Sequence, residues 1–186
     1  MVGRRRGPSG RIARMTATPP EVVDASTPAQ IDQVRELMRA FVAWHRERHQ
    51  ADLRLIDDYF DAAAFDAELA GLPGKYARPR GRLLLALQAG KPAGCVALRA
   101  MDADSCEMKR MFVDPQLQGR GVGRALAQAV ISEARAARYT WMWLDTTVRQ
   151  TEAQNLYRSL GFEPVDPYYE LAPELVDWLV FMRKSL

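Results

Sequence analysis

Apolar and polar positions along this 186-residue chain alternate in registers that predict a definite succession of elements. A short apolar run at 21–24 reads as a first strand. Thr27, Pro28 and Gln30 match a helix N-cap, a first-turn proline and the partner position of a capping box. Ile31, Val34, Leu37, Met38, Phe41 and Val42 then recur at helical spacing, so an amphipathic helix follows, with a polar continuation from Trp44 to Gln50. Tyr59, Phe60, Ala63, Ala64, Phe65 and Leu69 mark a second helix stopped near Gly71 and Pro73, and 74–81 is a loop of Gly, Pro and Arg. Two β-rich runs, 82–88 and 93–100, flank the turn Ala89-Gly90-Lys91-Pro92 and predict an antiparallel hairpin. A third, 105–113, ends at Asp114-Pro115 and leads through a glycine-rich turn into a helix with Val122, Leu126, Ala129, Val130, Ala134 and Ala137 on one face. A strand at 139–146, a helix at 151–160 stopped by Gly161, and closing strands at 162–165 and 178–184 complete the order. Such an order predicts one mixed α/β domain, a sheet of about seven strands with helices on both faces.

Composition narrows the class. With 48% apolar and 26% charged residues the chain can bury a core and is not disordered as a whole. No apolar run approaches the roughly 18 to 20 residues of a membrane span, and no apolar segment follows the basic start, so a cytoplasmic protein without a membrane partner is expected. The net charge of +3 is local in origin: Arg4, Arg5, Arg6, Arg11 and Arg14 stand in an acid-free start, and removing these five leaves −2 for the rest. That argues against a nucleic-acid partner for the body. Residues 1–20 read as a disordered basic arm and 21–186 as the folded domain. The arm is open to three readings: a phosphate-binding tail, a transit segment, or translated sequence upstream of a true start at Met15. Two cysteines, Cys95 and Cys106, and two histidines, His45 and His49, do not make a disulfide framework or a metal site, and no metal is expected.

The informative stretch is Gln118-Gly119-Arg120-Gly121-Val122-Gly123-Arg124. Glycines let successive backbone N–H groups converge on an anion, and the helix they open adds its positive end. A P-loop is excluded because its Gly-Lys-Ser/Thr ending is absent. A dinucleotide-binding turn competes, with Asp145 at about the expected distance. Against it stand Arg124 at the third glycine position, the five residues 114–118 between strand and turn, and the hairpin before it. A helix start that is merely glycine-rich is the structural alternative.

At these residues the chain resembles the GNAT superfamily of acyl-CoA N-acyltransferases. Gln118, Gly121 and Gly123 match its turn, and around it stand Cys106-Glu-Met-Lys-Arg-Met-Phe-Val113, Asp114-Pro115, Leu144-Asp145-Thr146 and Ala153-x-x-x-Tyr157-x-x-x-Gly161-Phe162. The resemblance spans about 21–185. It implies a GNAT-like domain in which two parallel strands, 105–113 and 139–146, splay apart around the pantetheine arm of acetyl-CoA. It further implies that the turn residues 118–124 (Gln118, Gly119, Arg120, Gly121, Val122, Gly123 and Arg124) hold the pyrophosphate, and that Met111, Phe112, Val113, Gln150 and Ala153 also border the cofactor. Where the family often has Asn, this chain has Gln150, which leaves that contact open.

The implied activity is direct transfer of an acetyl group from acetyl-CoA to a primary amine of a small molecule or peptide. It needs a deprotonated amine, an oxyanion donor and an acid for the thiolate. The resemblance points to Glu107 as base and Tyr157 as acid, with a backbone N–H near Met111 or Phe112 for the oxyanion. Strand alternation puts Glu107, Lys109, Met111 and Val113 on one face and Cys106, Met108, Arg110 and Phe112 on the other. Glu107 could equally be an ion-pair partner of Lys109 or Arg110, Tyr157 a core tyrosine, and Cys106 a buried thiol in place of an acyl carrier. Asp57, Asp58 and Asp61 with Tyr168, Tyr169 and Glu170 would wall an acceptor site suited to a cationic amine. A non-catalytic acyl-CoA-binding module and an NAD-binding oxidoreductase are the other function classes, and a homodimer is open.

Overall fold

The computed structural model describes residues 19–186, so most of the basic arm and the Met15 reading lie outside the described residues. Strand β1 (Glu21–Asp24) leads to helix α1 (Pro28–Arg48). The expected capping box is present: Thr27 Oγ1 accepts from the Gln30 N–H at 3.3 Å, and Gln30 Oε1 accepts from the Thr27 N–H at 3.1 Å. The single second helix expected from the apolar spacing is in fact two, α2 (Leu53–Tyr59) and α3 (Ala62–Ala70). Asp61 is the cause, because its carboxylate caps the Ala64 N–H at 2.7 Å and starts a new helix.

The strands that follow are β2 (Arg82–Gln88), β3 (Lys91–Ala100) and β4 (Ser105–Val113). Helix α4 (Val122–Ala136), strand β5 (Trp141–Thr147), helix α5 (Thr151–Ser159) and strand β6 (Glu163–Val165) come next. A short helix α6 (Pro173–Val176), not anticipated, precedes β7 (Leu179–Ser185). The seven strands form one sheet in the order β1-β2-β3-β4-β5-β7-β6. Every neighbour pair is antiparallel except β4 and β5. That single parallel pair removes the doubly wound sheet on which the dinucleotide alternative depends.

The parallel ladder is short. Ser105, Cys106 and Glu107 pair with Trp141, Met142 and Trp143, and beyond them the strands part, as the family resemblance implies. Two cores lie on opposite faces of the sheet. One packs Met38, Ile56, Phe65, Leu85 and Phe112 beneath α1, α2 and α3; the other packs Leu126, Val130, Met142 and Met182 beneath α4 and α5.

Strict alternation along β4 fails after Lys109. Ala97 pairs with Lys109 and Cys95 with Phe112, so Val96 faces both Arg110 and Met111 across a β-bulge, with Arg110 at φ +56. The bulge exchanges the faces downstream: Arg110 packs over Phe60 and Phe65 on the α1–α3 side, while Met111 and Val113 join the opposite core. Gly94 lies alongside, where an added Cβ would stand 2.5 Å from the Phe112 carbonyl oxygen. Among the described residues no helix is long and apolar enough to cross a membrane.

Candidate active site in the seam between two parallel strands

The glycine turn is shaped by its backbone. Gly119 and Gly121 have φ of +75 and +86, and Gly121 is the N-cap of α4. An added Cβ at either would meet nothing within 4 Å, so conformation rather than crowding requires glycine there. Gln118, Gly119, Arg120 and Gly121 are exposed at the start of a 15-residue helix. Such a terminus presents unpaired N–H groups and a positive dipole end, a fit for a pyrophosphate. Arg124 serves another end: its guanidinium donates to Ser159 Oγ at 2.9 Å and ties α4 to α5. Gly123 sits in ordinary contact with Val113, Leu156 and Met111, and Val122 is buried.

Where β4 and β5 part, a cavity of about 40 Å³ is lined by Met111, Asp145, Gln150 and Tyr157, with Tyr59, Lys109 and His45. Tyr157 is buried, its ring 5.8 Å from that of Phe162, and no described group bonds its hydroxyl. Burial first, and then the charge of Asp145, push the phenol pKa up, so it carries its proton through the neutral range. Gln150 lines the same cavity but its amide turns inward. Its Nε2 lies 2.6 Å from His45 Nε2 and its carbonyl accepts from Thr146 Oγ1 at 2.9 Å. Burial, with His49 beside it, brings the His45 pKa down to about 4, so the ring is neutral and accepts from Gln150. Ala153 is half-buried against the α4–α5 core.

Glu107 is not in this cavity's lining. It is fully buried; Arg99 Nε donates to one carboxylate oxygen, Tyr168 Oη donates to the other at 2.7 Å, and Lys109 Nζ stands 3.5 Å away. The expected Lys109 pair is therefore present. Arg110 instead bonds both oxygens of Glu68, at 2.8 and 3.0 Å. Desolvation opposes the charge of Glu68, yet the Arg110 guanidinium outweighs it and brings the Glu68 pKa down to about 2.

Between Glu107 and Tyr157 lies a polar cluster whose members the sequence offers only separately: Lys109 on the face of Glu107, Asp145 at a strand end and Tyr169 in the acceptor wall. Asp145 accepts from Lys109 Nζ at 2.8 Å, from Tyr169 Oη at 2.8 Å and from Tyr59 Oη. Burial would raise its pKa; Lys109 and the phenols outweigh that and lower it, while Asp145 and Glu107 raise Lys109 against its own desolvation.

The acceptor wall departs from expectation. Asp57 is bound by Arg46, Asp58 by Arg54 at 3.1 Å, and Asp61 caps α3, so these acids serve the helices that carry them. A second cavity of about 240 Å³ shares Tyr59, Lys109 and Arg110 with the first and adds Arg99, Asp58, Tyr169, Leu171 and Leu175. Its charged lining is mainly cationic. The thiols do not take part: burial pushes both Cys95 and Cys106 up to about 12, and Cys106 Sγ lies 3.5 Å from the Trp141 carbonyl. Among the described residues no cluster of His, Cys, Asp and Glu could hold a metal.

The acetyltransferase (GNAT) family model matches residues 34–162. An uncharacterized N-acetyltransferase of Schizosaccharomyces pombe is 38% identical over 123 residues, 65% of this chain and 74% of the relative. An IAA acetyltransferase of Azospirillum brasilense is 38% identical over 112 residues, 59% of this chain and 71% of the relative. Among solved structures, a PaiA N-acetyltransferase of Thermoplasma acidophilum in complex with coenzyme A superposes with a TM-score of 0.67 at 13% identity, over 91% of this chain and 100% of that one, a likeness of fold.

Proposed function

Since the chain belongs to the GNAT acetyltransferase family and is an acyltransferase, we propose that it moves an acetyl group from acetyl-CoA directly to a primary amine of a small molecule or peptide. The observation that carries this reading is the Tyr157 hydroxyl: protonated, without a partner among the described residues and set in the cavity where β4 and β5 part. Acetyl-CoA supplies a thioester whose carbonyl an amine can attack. The backbone amides of the turn 118–122 hold its pyrophosphate, and Met111, Phe112, Val113 and Ala153 border the arm. Among the described residues the β5-facing edge of β4 past Glu107 has no strand partner, which leaves a backbone N–H near Met111 for the oxyanion. As the C–S bond breaks, Tyr157 gives its proton to the departing thiolate; the new amide nitrogen loses its proton to solvent water, which restores the phenol.

Glu107 organises the acceptor side. With Arg99, Tyr168 and Lys109 around it, its carboxylate has few lone pairs left for an amine proton. The competing role is that of base, with the proton delivered through water. Glu107→Gln separates the two. As an organiser, its loss raises the acceptor KM and leaves the acidic limb of the pH–rate profile in place; as a base, its loss removes that limb and lowers kcat.

The cofactor reading has a direct test. Acetyl-CoA at 100 times its dissociation constant is expected to stabilise the protein by about 2.7 kcal/mol in thermal melts, NADH to do nothing, and an amine screen to release free thiol. A melt unmoved by acetyl-CoA defeats the proposal, and binding without thiol release across the screen returns the non-catalytic acyl-CoA module.

A further inference from the structure

We infer that the amine this protein acetylates also carries a carboxylate, bound by the Arg99 guanidinium; the inference rests on the acetyl-transfer reading above. The two cavities share Tyr59, Lys109 and Arg110, so an acceptor in the wider one reaches the seam that Tyr157 lines. Of the three cations in the wider cavity, two are largely engaged. Lys109 serves Asp145, Tyr59 and Glu107, and Arg110 gives Nε and one terminal nitrogen to the two oxygens of Glu68 while its plane rests near Phe60 and Phe65.

Arg99 is different. Only its Nε is bound, to Glu107, and among the described residues neither terminal nitrogen has a partner, although the side chain is 38% exposed. Glu107, paired with Arg99 in the β3–β4 register and wholly buried, fixes the guanidinium from behind. A guanidinium held at Nε still presents N–H donors in a plane, the geometry that matches a carboxylate.

The counter-charges fit an amino acid better than a polyamine. Arg99 and Lys109 are balanced by Glu107 and Asp145, so the set is neutral before anything binds. The one described acid lining the wider cavity, Asp58, gives one oxygen to Arg54, and the Tyr169 phenol points its proton at Asp145. A single half-exposed acid against three cations is a poor match for a second ammonium group. Conversely, the Lys109 ammonium disfavours a protonated amine beside it, which keeps the attacking nitrogen neutral. Leu171 and Leu175 provide an apolar wall for the acceptor's side chain.

The test is thiol release from acetyl-CoA with a panel of α-amino acids, β-alanine, the carboxamide of each, and spermidine. Carboxylate members are expected to show kcat/KM at least about tenfold above their carboxamides, the lower end of a charged hydrogen bond's worth. Arg99→Lys keeps a cation for Glu107 but lacks the fork, and should raise the KM of the preferred acceptor roughly 10- to 100-fold with acetyl-CoA affinity and melting temperature preserved. Arg99→Gln should erase the preference for carboxylates over carboxamides; if it melts low, Arg99→Lys remains the reading. Equal use of carboxamides, preference for spermidine, an unchanged KM in Arg99→Lys, or no turnover of any carboxylate by protein that binds acetyl-CoA each overturns the inference. Failure to bind acetyl-CoA overturns the acetyl-transfer reading instead.

Discussion

Tyr157→Phe is expected to bind acetyl-CoA as the parent does and to turn over roughly 10²- to 10⁴-fold more slowly, the usual cost of losing a general acid. The ring stays in its packing against Phe162, so only one oxygen is removed, and that oxygen bonds nothing else among the described residues. The sign of the pH dependence follows from the environment. Burial and the Asp145 carboxylate both disfavour the phenolate, so the folded pKa lies above the ordinary phenol value of about 10 and the acid form is present throughout the neutral range. No alkaline limb from Tyr157 is therefore expected below that ordinary value. Steady-state rates at saturating acetyl-CoA with calorimetric affinities check both halves. Should the variant lose cofactor affinity and keep its turnover at saturation, the hydroxyl is a binding contact and the thiolate leaves unprotonated.

Gly121→Val is expected to abolish measurable acetyl-CoA affinity while the protein remains folded. At φ +86 a β-branched residue is strained, by about 1–2 kcal/mol for a left-handed non-glycine residue and more with branching. Because an added Cβ there meets no neighbour, the strain is relieved by rotating the turn, which redirects the first N–H groups of α4. Arg120→Ala should do much less, since the anion is held by backbone. Isothermal calorimetry on the two variants decides: equal losses would put the side chain of Arg120 in the binding contact, and undiminished affinity in a folded Gly121→Val protein would take the turn out of the site.

What could be read in advance was whatever short-range chemistry determines. Thr27 and Gln30 declare their cap within four residues, and the glycine turn declares itself by composition. The face assignments of β4 were right up to Lys109 and wrong from Arg110 onward, because alternation counts residues and has no means of counting a bulge formed at a non-glycine position. Alternation puts Arg110 on the face away from Glu107; the bulge brings it to the same face, where it binds Glu68, a residue 42 positions earlier. Arg99 reaches Glu107 only through the register of two strands, and Tyr59 reaches Asp145 across 86 residues, separations at which no spacing rule operates.

The parting of β4 from β5 also has a mechanical side. Each strand is stiffened along its outer edge, β4 by β3 and β5 by β7, so the sheet behaves as two plates hinged on the three residue pairs 105–107 and 141–143. Lys109 and Asp145 stand two residues past the last pair, one on each plate, and their ion pair is a tie rod across the opening. Side chains, this ion pair with Tyr59 bonded to both its members, thus span the gap in place of a ladder of backbone bonds. A carboxylate whose folded pKa is lowered contributes its stabilisation above its unfolded pKa and loses it only as pH falls through the folded value. The tie therefore holds between the lowered Asp145 pKa and the raised Lys109 pKa, and slackens in acid as the carboxylate is protonated and in alkali as the ammonium is discharged.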